Sequence, residues 1–182
     1  MMHKTYFGHV ETPLGQLLLT SCEDKLTGLY FAQQPHAPRL NDWVEQNNAA
    51  IFAEARTQIA EYVAGKRRQF DLPLAPVGTS FQQLVWNEIA GIPFGQTVTY
   101  GELARRIGRS YRDARAVGTA TRQNPVCWIV PCHRVVGRHG ALTGYAGGLA
   151  RKAALLDFEA GQAEGRDAKL ELGDAEGMLV AA

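Results

Sequence analysis

Short apolar runs separated by turn residues fill the first third of the chain, a pattern typical of a small antiparallel sheet. Three of these runs predict strands at residues 6–10, 16–21 and 28–31. The turn signal Thr12-Pro13-Leu14-Gly15 lies between the first two runs, and Glu23-Asp24-Lys25 lies between the last two.

A helix is predicted after this sheet, over residues 51–63. Its apolar side chains recur at helical spacing, at Ile51, Ala55, Ile59, Tyr62 and Val63. Gly65 is well placed to end it. Phe70, Leu72 and Leu74 then alternate like a strand, and the Pro76-Val77-Gly78 segment predicts a domain boundary after residue 78.

The pattern becomes helical from Ser80 onward. A first helix ends at Gly91 and has one apolar face, formed by Phe81, Leu84, Val85 and Ile89. A second helix is predicted to begin at Thr99 and to end at Gly108, because Thr99-Tyr100-Gly101-Glu102 matches a capping box. A third is predicted at about 111–123, which gives the pair the sequence shape of a helix-turn-helix.

Arginines share one face of that third helix. At about 100° per residue, Arg122 lies about 20° from Arg115, and Arg112 lies about 60° to the other side. Val117 falls roughly opposite, and the flanks carry only small residues at Ala114, Ala116, Gly118 and Ala120. The face is either a solvated basic surface or an element that lies close against nucleic acid and inserts an arginine.

Charge is divided unevenly along the chain, although the net charge is only +1. Residues 1–78 carry 7 Lys+Arg and 8 Asp+Glu, residues 79–159 carry 10 and 5, and residues 160–182 carry 2 and 5. Nine of the ten cations in the middle block are arginines, which suit phosphate and base recognition. A basic block between two acidic ones favours a nucleic-acid partner.

Composition excludes several classes of protein. With 46% apolar and 20% charged residues, the chain is an ordinary globular one rather than a disordered or low-complexity one. No apolar run approaches the ~20 residues that a membrane helix needs, and the first residues lack the apolar core of a signal peptide. Three cysteines without a CxxC motif fit a reducing compartment. We therefore expect a cytoplasmic protein.

The segment at residues 126–133 carries the candidate chemistry. Residues 126–130 have the apolar pattern of a buried strand, which Pro131 stops directly before Cys132 and His133. The thiolate is the reactive form of cysteine, and a neighbouring histidine promotes its formation. Cys132 is either a nucleophile at a rigid turn or a buried apolar residue. The other two cysteines, Cys22 and Cys127, are predicted to be structural.

Four strings closely resemble the O6-alkylguanine–DNA alkyltransferases, also called methylated-DNA–protein-cysteine methyltransferases. They are Arg115-Ala116-Val117-Gly118, Asn124-Pro125-Val126, Ile129-Val130-Pro131-Cys132-His133-Arg134-Val135 and Gly144-Tyr145-Ala146-Gly147-Gly148. The similarity extends from about Thr12 to Glu159, and a Pro-Cys-His-Arg-Val string at this distance from the first two strings is highly specific.

The resemblance implies an α/β (α+β) fold. It places an N-terminal ribonuclease-H-like domain at residues 1–78, a mainly helical C-terminal domain with a helix-turn-helix at residues 79–160, and a tail at residues 161–182. It implies DNA repair by direct reversal, with the alkyl group of O6-alkylguanine, and also of O4-alkylthymine, transferred once to the protein's own cysteine. The implied partner is double-stranded DNA carrying the lesion, and the protein is expected to be a monomer without a cofactor.

The resemblance also implies the catalytic roles. Cys132 attacks the alkyl carbon, His133 takes the thiol proton through a water, and Glu159 orients the imidazole. Tyr100 gives a proton to the leaving guanine. The lesion has to be flipped out of the duplex, and Arg115 fills the vacated stack from the minor groove.

Further site residues follow from the same resemblance. Four are implied to bind the substrate, namely Asn124, Val135, Tyr145 and Ala146. Tyr145 and the Ala146 backbone match the loop that lines the guanine pocket. Asn124 matches the asparagine that ties the turn between the recognition helix and the active-site segment, through backbone hydrogen bonds. Seven are implied to contact DNA, namely Tyr100, Gly101, Ser110, Arg112, Arg115, Arg122 and Arg138. Some relatives carry Ser at the place of Ala146, so here only the backbone N–H can serve.

The last helix and the tail are predicted from their apolar residues. The stripe that is expected to face the core consists of Leu149, Ala153, Leu156 and Ala160. Glu159 lies about 80° from this stripe, at the margin of the buried face. Residues 161–182 contain so few apolar side chains that a mobile or loosely docked appendage is predicted.

No metal site is predicted. Some family members hold zinc in the N-terminal domain, but here only His3 and Cys22 fall near ligand positions, whereas Thr27 and Leu72 occupy the others. Two ligands cannot close a tetrahedral site. Two other functions stay open, a DNA-binding regulator in which Cys132 is merely buried and a turnover thiol hydrolase that uses Cys132 and His133.

Overall fold

The computed structural model describes residues 4–31, 34–40 and 43–172. Its sheet consists of β1 (Tyr6–Val10), β2 (Leu17–Cys22), β3 (Lys25–Phe31) and β4 (Val44–Glu45). The first three strands are antiparallel, β4 pairs parallel to β1, and the strand order is β3-β2-β1-β4. The three predicted strands are confirmed. The fourth was not predicted, because two residues are too few to show an alternating pattern.

Helix α1 (Ala50–Val63) packs its apolar face on this sheet, and both contribute to one core. Gly65 follows it with φ +71°, a conformation that favours glycine, so the predicted helix end is confirmed. The strand predicted over Phe70 to Leu74 is wrong. Only Leu74 forms a bridge, to Leu26, because Pro73 has no N–H to donate to a neighbouring strand.

The second half of the chain is mainly helical. Its helices are α2 (Ser80–Ala90), α3 (Tyr100–Arg106), α4 (Ala114–Arg122) and α5 (Leu149–Ala163), and the short strands β5 (Val98–Thr99) and β6 (Val135–Val136) pair in parallel. Thr99 caps α3 in the predicted capping box with Glu102. The mixed fold is confirmed, and no helix within the described ranges is long and apolar enough to cross a membrane.

Helices α3 and α4 pack on each other as the two helices of a helix-turn-helix. The turn between them contains Gly108, at φ +72°, and a 3₁₀ turn at Tyr111–Asp113. The third predicted helix is therefore shorter than expected. The Ser110 hydroxyl accepts a hydrogen bond from the backbone N–H of Arg112, and the Asp113 carboxylate accepts one from the backbone N–H of Ser110. These two bonds stabilise the 3₁₀ turn as a separate element before α4.

The strand predicted at residues 126–130 is wrong. The chain makes a tight turn there, in which the N–H of Ile129 donates to the Cys127 carbonyl at 2.9 Å. Trp128 has φ +74°, a strained conformation for a bulky residue that costs about 1–3 kcal/mol. Its ring is fully buried against Phe31 of β3 and Tyr62 of α1, which offsets this strain and anchors the segment before Cys132 to the N-terminal half.

The buried stripe of α5 differs from the predicted one. The buried residues are Lys152, Leu155, Phe158, Glu159 and Gly161, whereas Leu149 is 41% exposed. The stripe is thus displaced by one residue, or about 100° around the helix, because Phe158 packs on aromatic rings from both halves of the chain. As a consequence, Glu159 lies at the centre of the buried face rather than at its margin.

The prediction of a loosely docked tail is wrong for residues 161–172. Helix α5 continues to Ala163, and Leu170 is only 2% exposed and belongs to the main core. The side-chain amide of Gln162 donates to the Ala168 carbonyl at 2.8 Å, which folds this segment back onto the helix. Residues 173–182 of the predicted tail lie outside the described residues. The domain boundary after residue 78, between α1 and α2, stays a prediction.

Replacing Leu170 with alanine should lower the free energy of unfolding by about 2–5 kcal/mol, because it removes a buried leucine from the core. Leu172→Ala is the matched control, since Leu172 is 42% exposed and should lose no more than about 0.5 kcal/mol. Chemical denaturation of both variants measures the difference. Equal losses would mean that the segment does not pack in solution.

Candidate active site

Cys132 begins a 3₁₀ turn, Cys132–Arg134, directly after Pro131. Its side chain is 5% exposed. Burial raises the pKa of the thiol, and the opposing effects of an Asn124 hydrogen bond and of the Lys152 charge do not cancel this rise. The sulfur is therefore a neutral thiol near pH 7 and needs a base before it can attack.

Asn124 fixes the shape of the segment that leads to Cys132. Its amide nitrogen donates to the Val130 carbonyl at 2.8 Å, and its amide oxygen accepts the Val126 N–H at 3.1 Å. These two bonds hold the tight turn around Trp128 closed. The predicted backbone hydrogen bonding of Asn124 is confirmed, and the residue also lies beside the Cys132 thiol. Its contact with the substrate stays a prediction.

His133 is fully buried beside the cysteine. Its Nε2 lies 2.9 Å from Oε1 of Glu159, whereas Nδ1 has no hydrogen-bond partner within the described part of the protein. Burial lowers the pKa of the imidazole, and the nearby Glu159 charge raises it only in part. The ring is thus neutral near pH 7. With its Nε2 proton on Glu159, Nδ1 is the atom that can accept a proton.

The carboxylate of Glu159 is 1% exposed and is surrounded by donors. Arg134 forms a forked contact with it, from Nε to Oε2 and from Nη2 to Oε1, each at 2.8 Å. The Gly95 N–H donates to Oε2 at 3.0 Å and the Tyr62 hydroxyl donates to Oε1 at 2.5 Å. Burial alone would raise the pKa of Glu159, but His133 and Arg134 hold it well below its usual range.

Lys152 is a further buried charge near Cys132. Its ammonium donates to the carbonyls of Val135, at 2.6 Å, and of Thr143, at 2.8 Å. Burial lowers its pKa to about 8, although the nearby Cys132 partly opposes this. Lys152 therefore ties the loop around Thr143 to β6 and leaves positive charge beside the thiol.

The aromatic residues predicted for the site differ in their surroundings. Tyr100 is half-buried at the start of α3, its hydroxyl donates to the Thr143 carbonyl at 3.0 Å, and burial raises its pKa. Tyr145 is buried, and within the described residues its hydroxyl has no hydrogen-bond partner. Ala146 follows Tyr145 in the loop before α5, and Val135 is buried in β6.

A groove of about 830 Å³ lies beside this buried cluster, between α3, α4 and the loop around Thr143. Its charged lining residues are Arg115, Arg122 and Arg138. Tyr100 lines it as well, so one residue both borders the groove and contacts the loop that Lys152 holds. Cys132 is not among the residues that line the groove. The Tyr100 hydroxyl and the Lys152 ammonium both donate to the Thr143 carbonyl, so the groove wall and the buried cluster share this loop.

Five of the seven residues predicted to contact DNA line the groove, namely Tyr100, Gly101, Arg115, Arg122 and Arg138. Ser110 and Arg112 do not line it; Ser110 caps the 3₁₀ turn before α4, and Arg112 lies within that turn. Gly101 has a clear requirement for glycine, since a Cβ there would lie 2.0 Å from the Tyr111 ring. The guanidinium of Arg138 lies over the same Tyr111 ring, 5.7 Å from its centroid.

Four contacts of the cluster were not predicted from the sequence, those of Tyr62, Gly95, Arg134 and Lys152. Arg134 stands within the quoted Pro-Cys-His-Arg string, so its position next to His133 was a usable signal. Lys152 is three residues before Leu155 on the helix, a spacing that places it on the same face. Tyr62 and Gly95 show no local signal, because only the tertiary fold brings them to Glu159.

The zinc site of some family members was predicted to be absent. Within the described ranges, no three His, Cys, Asp or Glu side chains are grouped so that they could hold a metal ion. Cys22 is a free cysteine at the end of β2. His3, the other candidate ligand, lies outside the described residues.

Family models match nearly all of the chain in two parts. The ribonuclease-like domain of 6-O-methylguanine DNA methyltransferase matches residues 2–76, and the DNA-binding domain of the same family matches residues 80–161.

Several named relatives are similar to this chain over most of their length. A methylated-DNA–protein-cysteine methyltransferase from Methanosarcina acetivorans is 46% identical over 155 residues, which cover 85% of this chain and 97% of the relative. The constitutive enzyme of that name from Bacillus subtilis is 42% identical over 164 residues, covering 85% and 94%. The crystal structure of Mycobacterium tuberculosis OGT in complex with DNA superposes with a TM-score of 0.85 at 41% identity, covering 93% of this chain and 99% of that one.

Proposed function

The chain belongs to the 6-O-methylguanine DNA methyltransferase family, and on this basis we propose that it repairs alkylated DNA by transferring the alkyl group to its own Cys132. The lesion is O6-alkylguanine in double-stranded DNA, with O4-alkylthymine as a second substrate. The protein acts as a monomer in the cytoplasm and without a cofactor. The observation that carries the proposal is the buried pair of Glu159 and His133, the residue directly after Cys132 in the chain, together with a groove lined by arginines.

The transfer step balances without a co-reactant. Nδ1 of His133 takes the Cys132 proton through a bridging water. Glu159 then stabilises the resulting imidazolium. The thiolate attacks the alkyl carbon, so a C–S bond forms while the bond from that carbon to guanine O6 breaks. Thiol and O6-alkylguanine become thioether and guanine. The thioether has no easy hydrolytic route, so each molecule acts once.

In this proposal Tyr100 gives the departing guanine a proton, and the proton that His133 took from the thiol then returns to Tyr100 through solvent. Burial raises the pKa of Tyr100, so the hydroxyl is protonated near neutral pH. Its present acceptor is the Thr143 carbonyl, at the wall between the groove and the buried cluster. In this proposal the flipped base enters from the groove and passes Tyr100 to reach the Cys132 sulfur.

The groove supports lesion extrusion rather than reading of a base sequence. Helix α4 presents the small residues Ala114 and Gly118 along with Arg115 on the lining, so the helix can approach a minor groove closely. The minor groove of DNA offers little information about base sequence, which suits a repair protein that acts at any sequence position. Flipping the lesion costs roughly a few kcal/mol, and in this proposal the Arg115 side chain occupies the gap.

The two alternative functions leave parts of the site without a purpose. A helix-turn-helix regulator has no need for a neutral, buried histidine that pairs with a carboxylate next to a thiol. A thiol hydrolase needs a substrate that reaches the thiol in many turnovers, which gives the arginine-lined groove no role. Alkyl transfer from DNA gives a role both to the histidine–carboxylate pair and to the arginine-lined groove.

Incubation with DNA that carries radiolabelled O6-methylguanine tests the proposal. We expect label on the protein at a stoichiometry near one per molecule, with no further transfer when fresh DNA is added. Binding without label would indicate a regulator. Release of label into solution over many turnovers would indicate a hydrolase.

Replacing Glu159 with glutamine should slow transfer by roughly tenfold to a hundredfold near pH 7. The amide carries no charge, so it no longer raises the pKa of His133, and the unpaired Arg134 lowers this pKa further. The weakened base takes the thiol proton less readily. In a plot of rate against pH, the inflection due to His133 should therefore move to lower pH and the plateau should drop.

Glu164→Gln is the matched control, because Glu164 sits at the end of the same helix and pairs with Arg166 on the surface. It should leave the rate unchanged. Both variants are compared well below their unfolding temperatures. A Glu159→Gln rate equal to that of the wild type from about pH 6 to 9 would mean that Glu159 has no part in proton transfer.

A further inference from the structure

Tyr62 brings a side chain from the N-terminal half into the active-site cluster. It lies on α1, is fully buried, and its ring packs in a group of aromatic rings. The ring contacts are with Phe70, Phe94, Trp128 and Phe158, at centroid distances of 5.4 to 5.9 Å. Packing alone would be served equally well by phenylalanine, so the hydroxyl is the feature that needs an explanation.

That hydroxyl donates to Oε1 of Glu159 at 2.5 Å. The same oxygen faces Nε2 of His133 at 2.9 Å and accepts from Nη2 of Arg134 at 2.8 Å. Three donors thus share one carboxylate oxygen. Each of them draws on the same negative charge, so the strength of one contact depends on the other two.

The hydroxyl remains a neutral donor at every physiological pH. Burial raises the pKa of Tyr62 well above its usual value, and the neighbouring Glu159 charge raises it further. A neutral donor reduces the ability of Oε1 to stabilise an imidazolium at His133. The other charged or titratable groups that act on His133 are Arg134 beside it and Lys152 on α5, both of which lower its pKa.

We propose that Tyr62 is a positioning residue for alkyl transfer, which holds the Glu159 carboxylate and limits the basicity of His133. The N-terminal half would then contribute directly to the proton relay, through one hydroxyl, in addition to supporting the fold. This inference rests on the proposed function, because it assigns Tyr62 a part in that reaction.

Tyr62→Phe removes the hydroxyl and keeps the aromatic packing. Loss of the competing donor should raise the pKa of His133 by on the order of half a unit or more. The inflection in the rate of methyl transfer should move to higher pH by the same amount, so transfer slows most at acidic pH. The imidazole is titrated by NMR in histidine-labelled protein, with the His133 signal assigned by its loss in His133→Gln.

Tyr30→Phe is the matched control, since Tyr30 is a buried tyrosine on β3 whose ring lines a different cavity. It should leave both the His133 pKa and the transfer profile unchanged. A second replacement keeps the test valid should Tyr62→Phe not fold. Substituting 3-fluorotyrosine at position 62 retains the packing and makes the hydroxyl a stronger donor, so it should lower the pKa of His133.

A His133 pKa that stays at the wild-type value in both Tyr62 proteins overturns the proposal, whatever happens to stability. The titration needs no DNA, so it is independent of the proposed function. A wild-type protein that transfers no methyl group would overturn the proposed function, and the reaction role of Tyr62 with it. Opposite pKa shifts in the two proteins, matched by the transfer profiles, would support it.

Discussion

Replacing Cys132 with alanine should abolish methyl transfer completely and leave binding to duplex DNA nearly unchanged. The sulfur is the atom that forms the bond to the alkyl carbon, and alanine has no nucleophile at that position. The arginine-lined groove does not include Cys132, so the surface that meets DNA keeps its shape. Removing one thiol that is 5% exposed should cost stability only about 1 kcal/mol.

The measurement combines radiolabel transfer with peptide mass spectrometry on the wild-type protein. Cys127→Ala is the matched control. Its thiol is also buried, but it donates to the Leu29 carbonyl at 2.9 Å, on the side of the N-terminal sheet, and burial raises its pKa well above the usual value. That variant should lose packing and keep transfer. A methyl group found on Cys127 or Cys22 would contradict the assignment of the nucleophile.

Local patterns predicted the elements that local interactions stabilise. The start of α3 was found from Thr99 and Glu102, because both partners of a capping box lie within one turn. The end of α1 was found from Gly65 for a similar reason, since its positive φ is a property of one residue. Of the three arginines predicted to share one helix face, Arg115 and Arg122 lie on α4, and Val117 opposite them is fully buried. Arg112 does not belong to that helix, because the chain forms the 3₁₀ turn there.

Tertiary packing decided the features that were missed. Residues 126–130 have a strand pattern, yet the burial of the Trp128 ring between Phe31 and Tyr62 turns the chain instead. Glu159 was predicted to lie at the margin of the buried face of α5, because that face was expected to contain apolar residues alone. The helix instead buries Lys152 and Glu159 with Leu155, since both charges find partners on other elements.

The candidate site shows the same division. Resemblance to a family named Cys132, His133 and Glu159 as a set, and the structure brings His133 and Glu159 into contact at 2.9 Å. The groups that donate the other hydrogen bonds to the Glu159 carboxylate come from separate parts of the chain. One of them, Tyr62, is 97 residues away, so no spacing rule connects the two.

Replacing Arg115 with alanine should reduce repair of a lesion in duplex DNA by roughly 10²- to 10³-fold, because the flipped state loses the side chain that fills the gap left by the base. Arg115 is exposed on α4 and lines the groove. Binding to DNA should fall much less. Reaction with free O6-methylguanine base should stay nearly normal, since a free base needs no extrusion.

Arg112→Ala separates this role from simple attraction to phosphate. Arg112 is exposed close to Arg115 in the chain but lies on the 3₁₀ turn, away from the groove lining. Removing a phosphate-binding cation there should weaken binding and duplex repair by the same factor. In a plot of the logarithm of the binding constant against the logarithm of salt concentration, the slope should become less steep by about one unit. Binding, duplex repair and free-base reaction are measured for both variants. If Arg115→Ala lowers binding and duplex repair equally, as Arg112→Ala is expected to do, Arg115 is one phosphate-binding cation among several and does not hold the extruded state.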